Sequence, residues 1–321
     1  MTDRAADVTE CPPGVIDQVV GQKGIVERIK VALEAAWNDG VRFPHALMTG
    51  PPGLGKSLFA KIIANEMGCE LLETLAQNLW NPNEIHGLLI QAGNKDVILI
   101  DECDELHAKA QTQLYRALED GCLFLCGDLR RASPKKIPLR RFTLLACSNH
   151  EASLVPPLRD RFRLILRFAY YSPQELAALL RQRAARLRWE AEPRVIESIA
   201  SLGRGTPRIA LRLLESCHRT ARSQNKDVIT FEHFRKTCQL EAIDDRLGLD
   251  DVERGYLAIL ADSHQPTRLQ TISRRLGLPP RTVSKAIEEF LVRQGLVATS
   301  DAGRELTNKG IEYLRQVDQT A

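Results

Sequence analysis

The sequence predicts an α/β domain built on a parallel sheet, followed by a small all-helical domain and a winged helix-turn-helix. Three observations predict it. Short apolar runs alternate with helical stretches over residues 16–168, the pattern of a layered α/β fold. Strand signals stop at Tyr171, and helical stretches follow one another to about Ile243. A helix–helix–turn–helix pattern then ends in two short strands punctuated by Gly295, Asp301 and Gly303. On this reading residues 1–15 are a lead-in, 16–170 the α/β domain, 171–244 the helical domain and 245–321 the winged helix.

The elements are justified in order. Ala46–Met48, Val97–Ile100 and Phe142–Cys147 are short and largely apolar, as suits parallel strands covered on both faces. Leu58, Ile62, Ile63 and Met67 repeat at helical spacing, and so do Ala110, Leu114, Ala117 and Leu118. Ser172-Pro173-Gln174-Glu175 is a capping box with proline at the first helical position. It opens helices over Gln174–Leu187, Pro193–Leu202, Pro207–Ser223 and Phe231–Gln239. Asp244–Asp251 is a polar link, and Gly277-Leu278-Pro279-Pro280 breaks one helix sharply from the next.

Composition excludes several classes. The chain has 321 residues, 44% hydrophobic and 26% charged, as in ordinary globular proteins. No apolar run approaches the ~20 residues a membrane helix needs. Met1–Glu10 is polar and acidic, unlike a signal peptide, so a cytoplasmic protein is expected. The eight cysteines form no Cys-x-x-Cys pair and are expected as reduced thiols acting as small hydrophobes. A net charge of +3 gives no global argument for nucleic acid, so that argument rests on local clusters.

The chemistry centres on Gly50-Pro51-Pro52-Gly53-Leu54-Gly55-Lys56-Ser57, which fits G-x-x-x-x-G-K-[ST] at every position. Glycines let the backbone curl so that its N–H groups face phosphates, and the following helix, carrying Leu58, points its positive end at the same anions. Lys56 reaches the outer phosphates and the Ser57 hydroxyl ligates magnesium. In Val97-Ile98-Leu99-Ile100-Asp101-Glu102 a buried strand ends in two carboxylates. Asp101 is expected to help hold magnesium, and Glu102 to orient or deprotonate the attacking water. ATP and Mg²⁺ are therefore the expected cofactors. Hydrolysis also needs a cation at the γ-phosphate. Arg159, Arg161 and Arg208 are candidates, and spacing does not choose among them.

Gly50–Ser57, Asp101-Glu102, Ser148-Asn149, Arg161 and Gly205–Arg208, in that order, resemble the AAA+ ATPases. Arg116-Ala117-Leu118-Glu119-Asp120, Pro157–Phe162, Gly205–Ala210, Leu247–Asp251 and Leu291–Gly295 narrow this to a resemblance to the RuvB family, whose motors drive Holliday-junction branch migration. It covers residues 16–316. The resemblance implies an AAA+ three-layer domain, an all-α lid and a DNA-binding winged helix. It implies that Asn149 senses the γ-phosphate, that Arg161 is an arginine finger for a neighbouring subunit and that Arg208 is the second sensor on the lid. Val20, Tyr171 and Pro207 would flank the adenine. A finger acting in trans implies a ring, and the family forms hexamers. Three departures mark a divergent relative: Asp101-Glu102-Cys103-Asp104 is closer to clamp loaders, Pro12-Pro13 replaces Arg-Pro, and Ala302-Gly303-Arg304 replaces the wing's Arg-Gly-Arg.

Two regions carry local charge. Leu123–Cys126 and Lys136–Leu139 are expected to pair across the tip 127–134, in a stretch with six basic residues against Asp128. In RuvB relatives a hairpin here docks the partner RuvA, which makes Leu123, Phe124, Arg130, Arg131 and Ile137 candidate contacts. Binding of DNA phosphates and a merely solvated basic turn stay open beside it. Residues 268–293 hold six basic residues against Glu288 and Glu289. Arg281, Thr282, Ser284 and Lys285 are expected at a DNA groove, with Arg304 on the wing gripping a phosphate. The leading expectation is a cytoplasmic, nucleoid-associated ring motor on duplex or junction DNA. A clamp-loader-like switch and an ATP-controlled DNA-binding regulator are the alternatives.

Overall fold

The computed structural model describes residues 8, 11–125, 135–263 and 265–318. The chain packs as two compact units, one ending at Arg188 but taking in Gly205–Glu215, the other made of Trp189–Arg204 and the chain from Ser216 onward.

The first unit holds α1 (Lys23–Asn38), β1 (Ala46–Thr49), α2 (Lys56–Met67), β2 (Leu71–Leu75), α3 (Pro82–Gln91), β3 (Val97–Asp101), α4 (Ala108–Asp120), β4 (Cys122–Leu125), β5 (Lys135–Pro138), β6 (Thr143–Ser148), α5 (Pro156–Arg159), β7 (Leu164–Arg167) and α6 (Pro173–Leu187). The sheet runs β2-β3-β6-β1-β7 with every pairing parallel. Its three central strands are those expected from apolar runs, and each is buried from end to end except for Asp101 at the tip of β3. The outer strands β2 and β7 are additions to that expectation. Both are half-exposed and carry polar residues (Glu73, Arg167), so neither shows a continuous apolar run.

Parallel pairing fixes what lies where. The carboxyl ends of β1, β3 and β6 fall on one edge, where Gly50, Asp101 and Ser148 follow in register. On one face of the sheet Ile98, Ile100, Leu144 and Ala146 pack with Leu89, Leu114 and Phe162. Each large apolar side chain so buried contributes about 1.5–3 kcal/mol.

The capping box at Ser172 is formed as expected: its hydroxyl accepts from the Glu175 N–H at 3.2 Å, and Glu175 accepts from the Ser172 N–H at 2.8 Å. Helix α8 (Pro207–Ser223) begins in the first unit.

The second unit contains α7 (Pro193–Leu202), α9 (Phe231–Leu240), α10 (Asp251–Ala261), α11 (Leu269–Leu276), α12 (Pro280–Thr282), a π-helical turn Val283–Glu288, α13 (Glu289–Arg293), β10 (Val297–Ser300), β11 (Gly303–Leu306) and α14 (Asn308–Asp318). Strands do not stop at Tyr171. β8 (Glu190–Ala191) pairs in parallel with β9 (Val228–Ile229), a ladder two residues long and too short to leave a period in sequence. Helix α14 is also additional; its Tyr313 closes a core with Tyr256, Ile272, Val283 and Leu291. Among the described residues no helix is long and apolar enough to cross a membrane.

Candidate functional site

The phosphate loop is shaped by backbone that only glycine adopts cheaply. Gly50, Gly53 and Gly55 have φ of 141°, 82° and 96°. A Cβ on Gly50 would lie 2.6 Å from the Phe168 carbonyl, so the loop rests directly on the chain leaving β7. Gly55 caps α2, which starts at Lys56, and aims that helix's N–H groups at the loop. Leu54 is wholly buried beneath it, and Leu58 is half-buried in the first helical turn.

Lys56 is 8% exposed. Its ammonium donates to Gly50 O at 2.7 Å, Pro51 O at 2.9 Å and Asn149 Oδ1 at 2.9 Å. Burial pulls its pKa down, while Cys147, Asp101 and Asp104 act the other way. Three acceptors and two nearby carboxylates thus surround the ammonium. Ser57 Oγ donates to Asp101 Oδ2 at 2.5 Å. A hydroxyl and a carboxylate oxygen thus stand together, the usual protein share of a magnesium site whose other ligands are phosphate and water. Among the described residues no cluster of three or more His, Cys, Asp or Glu could hold a metal, so any cation here relies on such outside ligands.

Glu102 follows Asp101 with φ 54°, an uncommon value off glycine, and its N–H donates to Asp101 Oδ1 at 2.9 Å. The turn holds Asp101 toward Ser57 and leaves the Glu102 side chain exposed. Asp104 was not singled out by sequence reasoning except as a departure from pattern. It accepts from the Asn149 N–H at 3.1 Å, so it fixes the loop carrying the residue that touches Lys56. Its only sequence signal is its place three residues after Asp101.

The lid residues meet the same loop. Arg208 begins α8, and a Cβ on Gly53 would lie 3.2 Å from Arg208 Cβ. Arg208 is exposed and close enough to lower the Lys56 pKa. Tyr171 is 7% exposed, its hydroxyl 3.5 Å from Leu54 O and its N–H donating to Gly205 O at 2.9 Å. Burial pushes its pKa up to about 12, so it stays neutral. A Cβ on Gly21 would strike its ring at 2.5 Å, which brings the half-buried Val20 segment against it. Pro207 is buried beside Arg208. Pro51 and Pro52 complete the loop's rim, half-buried and exposed respectively.

Arg161 is not with them. It precedes the amino end of β7, and Leu164 of that strand pairs with Ala46 at the start of β1. The phosphate loop leaves the opposite end of β1. Arg161 donates to Glu119, at the end of α4, at 2.7 Å. Arg159 ends α5, half-buried.

Two groups of expected contact residues pack more closely within the chain than free contacts would. Leu123, like its neighbour Cys122, is 3% exposed; it pairs with half-buried Ile137, while Phe124 is exposed, under Lys136 at 5.8 Å. Leu123 therefore presents little surface to a partner, while half-buried Ile137 keeps some. Arg130 and Arg131 lie outside the described residues. Arg304 is the second case. Its Nε and NH2 donate to the Glu288 carboxylate at 2.9 and 3.1 Å, and Tyr256 donates to the same group at 3.0 Å. Glu288 is 8% exposed and needs both partners, so Arg304 is tied inward rather than offered to a phosphate. Arg281, Thr282 and Lys285 are exposed, Ser284 half-buried, on the helix opposite buried Val283, Ile287 and Leu291.

Comparisons with known proteins agree along the chain. Residues 11–168 match the Holliday junction DNA helicase RuvB P-loop domain, 171–244 the RuvB AAA lid domain and 246–315 the RuvB C-terminal winged helix domain. The Holliday junction branch migration complex subunit RuvB of Neorickettsia sennetsu is 34% identical over 309 residues, covering 95% of this chain and 93% of the relative. The subunit of the same description from Synechococcus is 35% identical, covering 95% and 88%. A mutant of Thermotoga maritima RuvB superposes with a TM-score of 0.83 at 31% identity, over 95% of this chain and 99% of that one. The Thermotoga maritima RuvB Holliday junction branch migration motor superposes with 0.81 at 31% identity, over 94% and 97%. The chain is an AAA+ P-loop protein with a lid and a winged helix, and it belongs to the RuvB family.

Proposed function

We propose that this chain is an ATP-hydrolysing motor that moves duplex DNA by branch migration at four-way junctions, working as a ring, most simply a hexamer. One observation carries the reading. Lys56, Ser57, Asp101, Glu102 and Asn149 share one edge of the sheet under Arg208, while Arg161 sits at the other edge. The near edge has what ATP and Mg²⁺ require. Lys56 and the loop N–H groups bind phosphate, Ser57 and Asp101 hold the cation, Glu102 activates water and Asn149 couples the lysine to its strand. A cation at that site would screen phosphate charge. Arg161 completes the site of a neighbouring subunit, which is why a ring is needed. Exposed Arg281, Thr282 and Lys285 supply sequence-independent grip on DNA phosphates. Relatives described as subunits of a branch migration complex support a junction-binding partner of the RuvA type.

The test is ATP hydrolysis and strand exchange on a four-way junction against linear duplex of equal length, with and without a RuvA-type protein. Junction-stimulated turnover and strand exchange that both vanish in Lys56→Ala are expected. Turnover indifferent to DNA, together with a sequence-specific footprint, would refute the motor.

A further inference from the structure

At the amino edge of the sheet, away from the phosphate loop, lies a cleft of about 660 Å³ that the proposed mechanism does not use. Arg42, Lys95, Arg141 and Arg163 line it, with a single acid, Asp39. The side chains of Lys95, Arg141 and Arg163 make no hydrogen bond or ion pair with another described residue. Arg42 has only the Phe43 carbonyl, at 3.2 Å. Burial, then the neighbouring Arg163 and Arg141, pull the Arg42 pKa down. Burial, then Arg42 and Arg163, pull the His45 pKa down. Four clustered cations with one acid are mutually repulsive, and partly buried Arg42 pays desolvation without a carboxylate in return. The rest of the lining is different in kind. Ala32 and Ala35, half-buried and exposed on one face of α1 beside buried Ala36, add a small apolar surface with no long side chain of their own.

We propose that this cleft is a second ligand site, for a small molecule that joins a di- or polyphosphate to a flat ring, a nucleoside diphosphate by chemistry. Arginine forks match phosphate oxygens bidentately, and three of them suit more than one phosphate group. The alanine face takes the ring. The volume lies in the range of small-ligand pockets, and a concave site of this size suits a compact anion better than a duplex backbone. The site is built on the first unit alone and is independent of the phosphate loop, so it would regulate the motor rather than fuel it.

The probe is ADP with Mg²⁺, titrated calorimetrically into the full chain. Two sites per chain are expected. Lys56→Ala should remove one, and Arg42→Ala/Arg163→Ala should weaken the other at least tenfold while leaving the first. Ala35→Leu, at an exposed position of the lining, should weaken ADP at the second site but spare inorganic pyrophosphate, which has no ring to seat. Thermal unfolding and the retained Lys56-dependent site report that the variants fold. A wild type with only the Lys56-dependent ADP site, or a second site indifferent to the arginines, would overturn the proposal. So would unchanged ADP binding with a loss of DNA affinity in the arginine pair, which would make the cleft a DNA surface. An arginine-dependent ADP site in the wild type with no Lys56-dependent site beside it would instead count against the motor reading.

Discussion

Replacing Arg161 by alanine should abolish turnover while sparing nucleotide binding. β1 has four residues, so its two ends are separated by roughly 13 Å at ~3.3 Å per residue. The phosphate loop leaves one end and Arg161 lies near the other, too far for a side chain to span. Within one chain the substitution therefore removes nothing from the nucleotide. What it does remove locally is the Glu119 pair, whose side chains are 38% and 48% exposed. Such a surface pair is worth about 0–1 kcal/mol, so folding barely changes, and drawing Arg161 toward a neighbour costs equally little. An arginine finger supplies about 10³–10⁵ in turnover, or ~4–7 kcal/mol at ~1.4 kcal/mol per decade. That gain far exceeds the cost of release. The assay is steady-state ATP hydrolysis with junction DNA, beside calorimetric ATP binding. Turnover should fall at least a thousandfold with affinity within about threefold. Mixing with Lys56→Ala subunits should restore activity, since each defect lies on a different face of the subunit junction. An Arg161→Ala protein that turns over normally, or whose affinity falls in step with turnover, would refute the argument.

Gly50→Ala should destroy nucleotide binding without unfolding the sheet, because its Cβ would meet the Phe168 carbonyl at 2.6 Å in a φ of 141°; a variant with wild-type ATP affinity would contradict the loop geometry. Arg304→Ala should cost about 2–4 kcal/mol in denaturant unfolding of the winged helix, by leaving Glu288 buried with only Tyr256, and Glu288→Gln in the same chain should recover part of it. A loss of DNA affinity without loss of stability would restore Arg304 to a phosphate-gripping role. Acid should weaken the fold through His45. Burial, then Arg42 and Arg163, drives the His45 pKa from 6.5 to about 3, and its Nδ1 accepts from the Leu144 N–H at 2.8 Å. The folded state then binds fewer protons than the unfolded state between those values. The contribution is fully present above pH 6.5 and is lost as pH falls toward 3, by about 2 kcal/mol at pH 5. Unfolding measured from pH 7.5 to 5 should show this slope, and His45→Gln should flatten it; an unchanged slope in the variant would assign the acid sensitivity elsewhere.

The sequence by itself determined the chemistry of the phosphate edge. Gly50–Ser57 and Asp101-Glu102 are local: each is a short stretch whose backbone and side chains must be adjacent to act, so spacing alone carries the information. The three central strands were legible for the same reason, since burial on both faces leaves an unbroken apolar run. The outer strands and the ladder of Glu190–Ala191 with Val228–Ile229 were not, because half-exposed or two-residue strands leave no period. Only the tertiary structure decided which distant groups meet. Asn149 reaches Lys56 across 93 positions, and Asp104 holds Asn149, because parallel pairing stacks the ends of β1, β3 and β6 on one edge. That same pairing sends Arg161 to the far edge, which no spacing in the chain expresses. It also turned Leu123 into the core and Arg304 onto Glu288. Charge and hydrophobicity can be counted along a chain. Whether a given arginine faces solvent or a buried carboxylate depends on contacts between residues far apart in it.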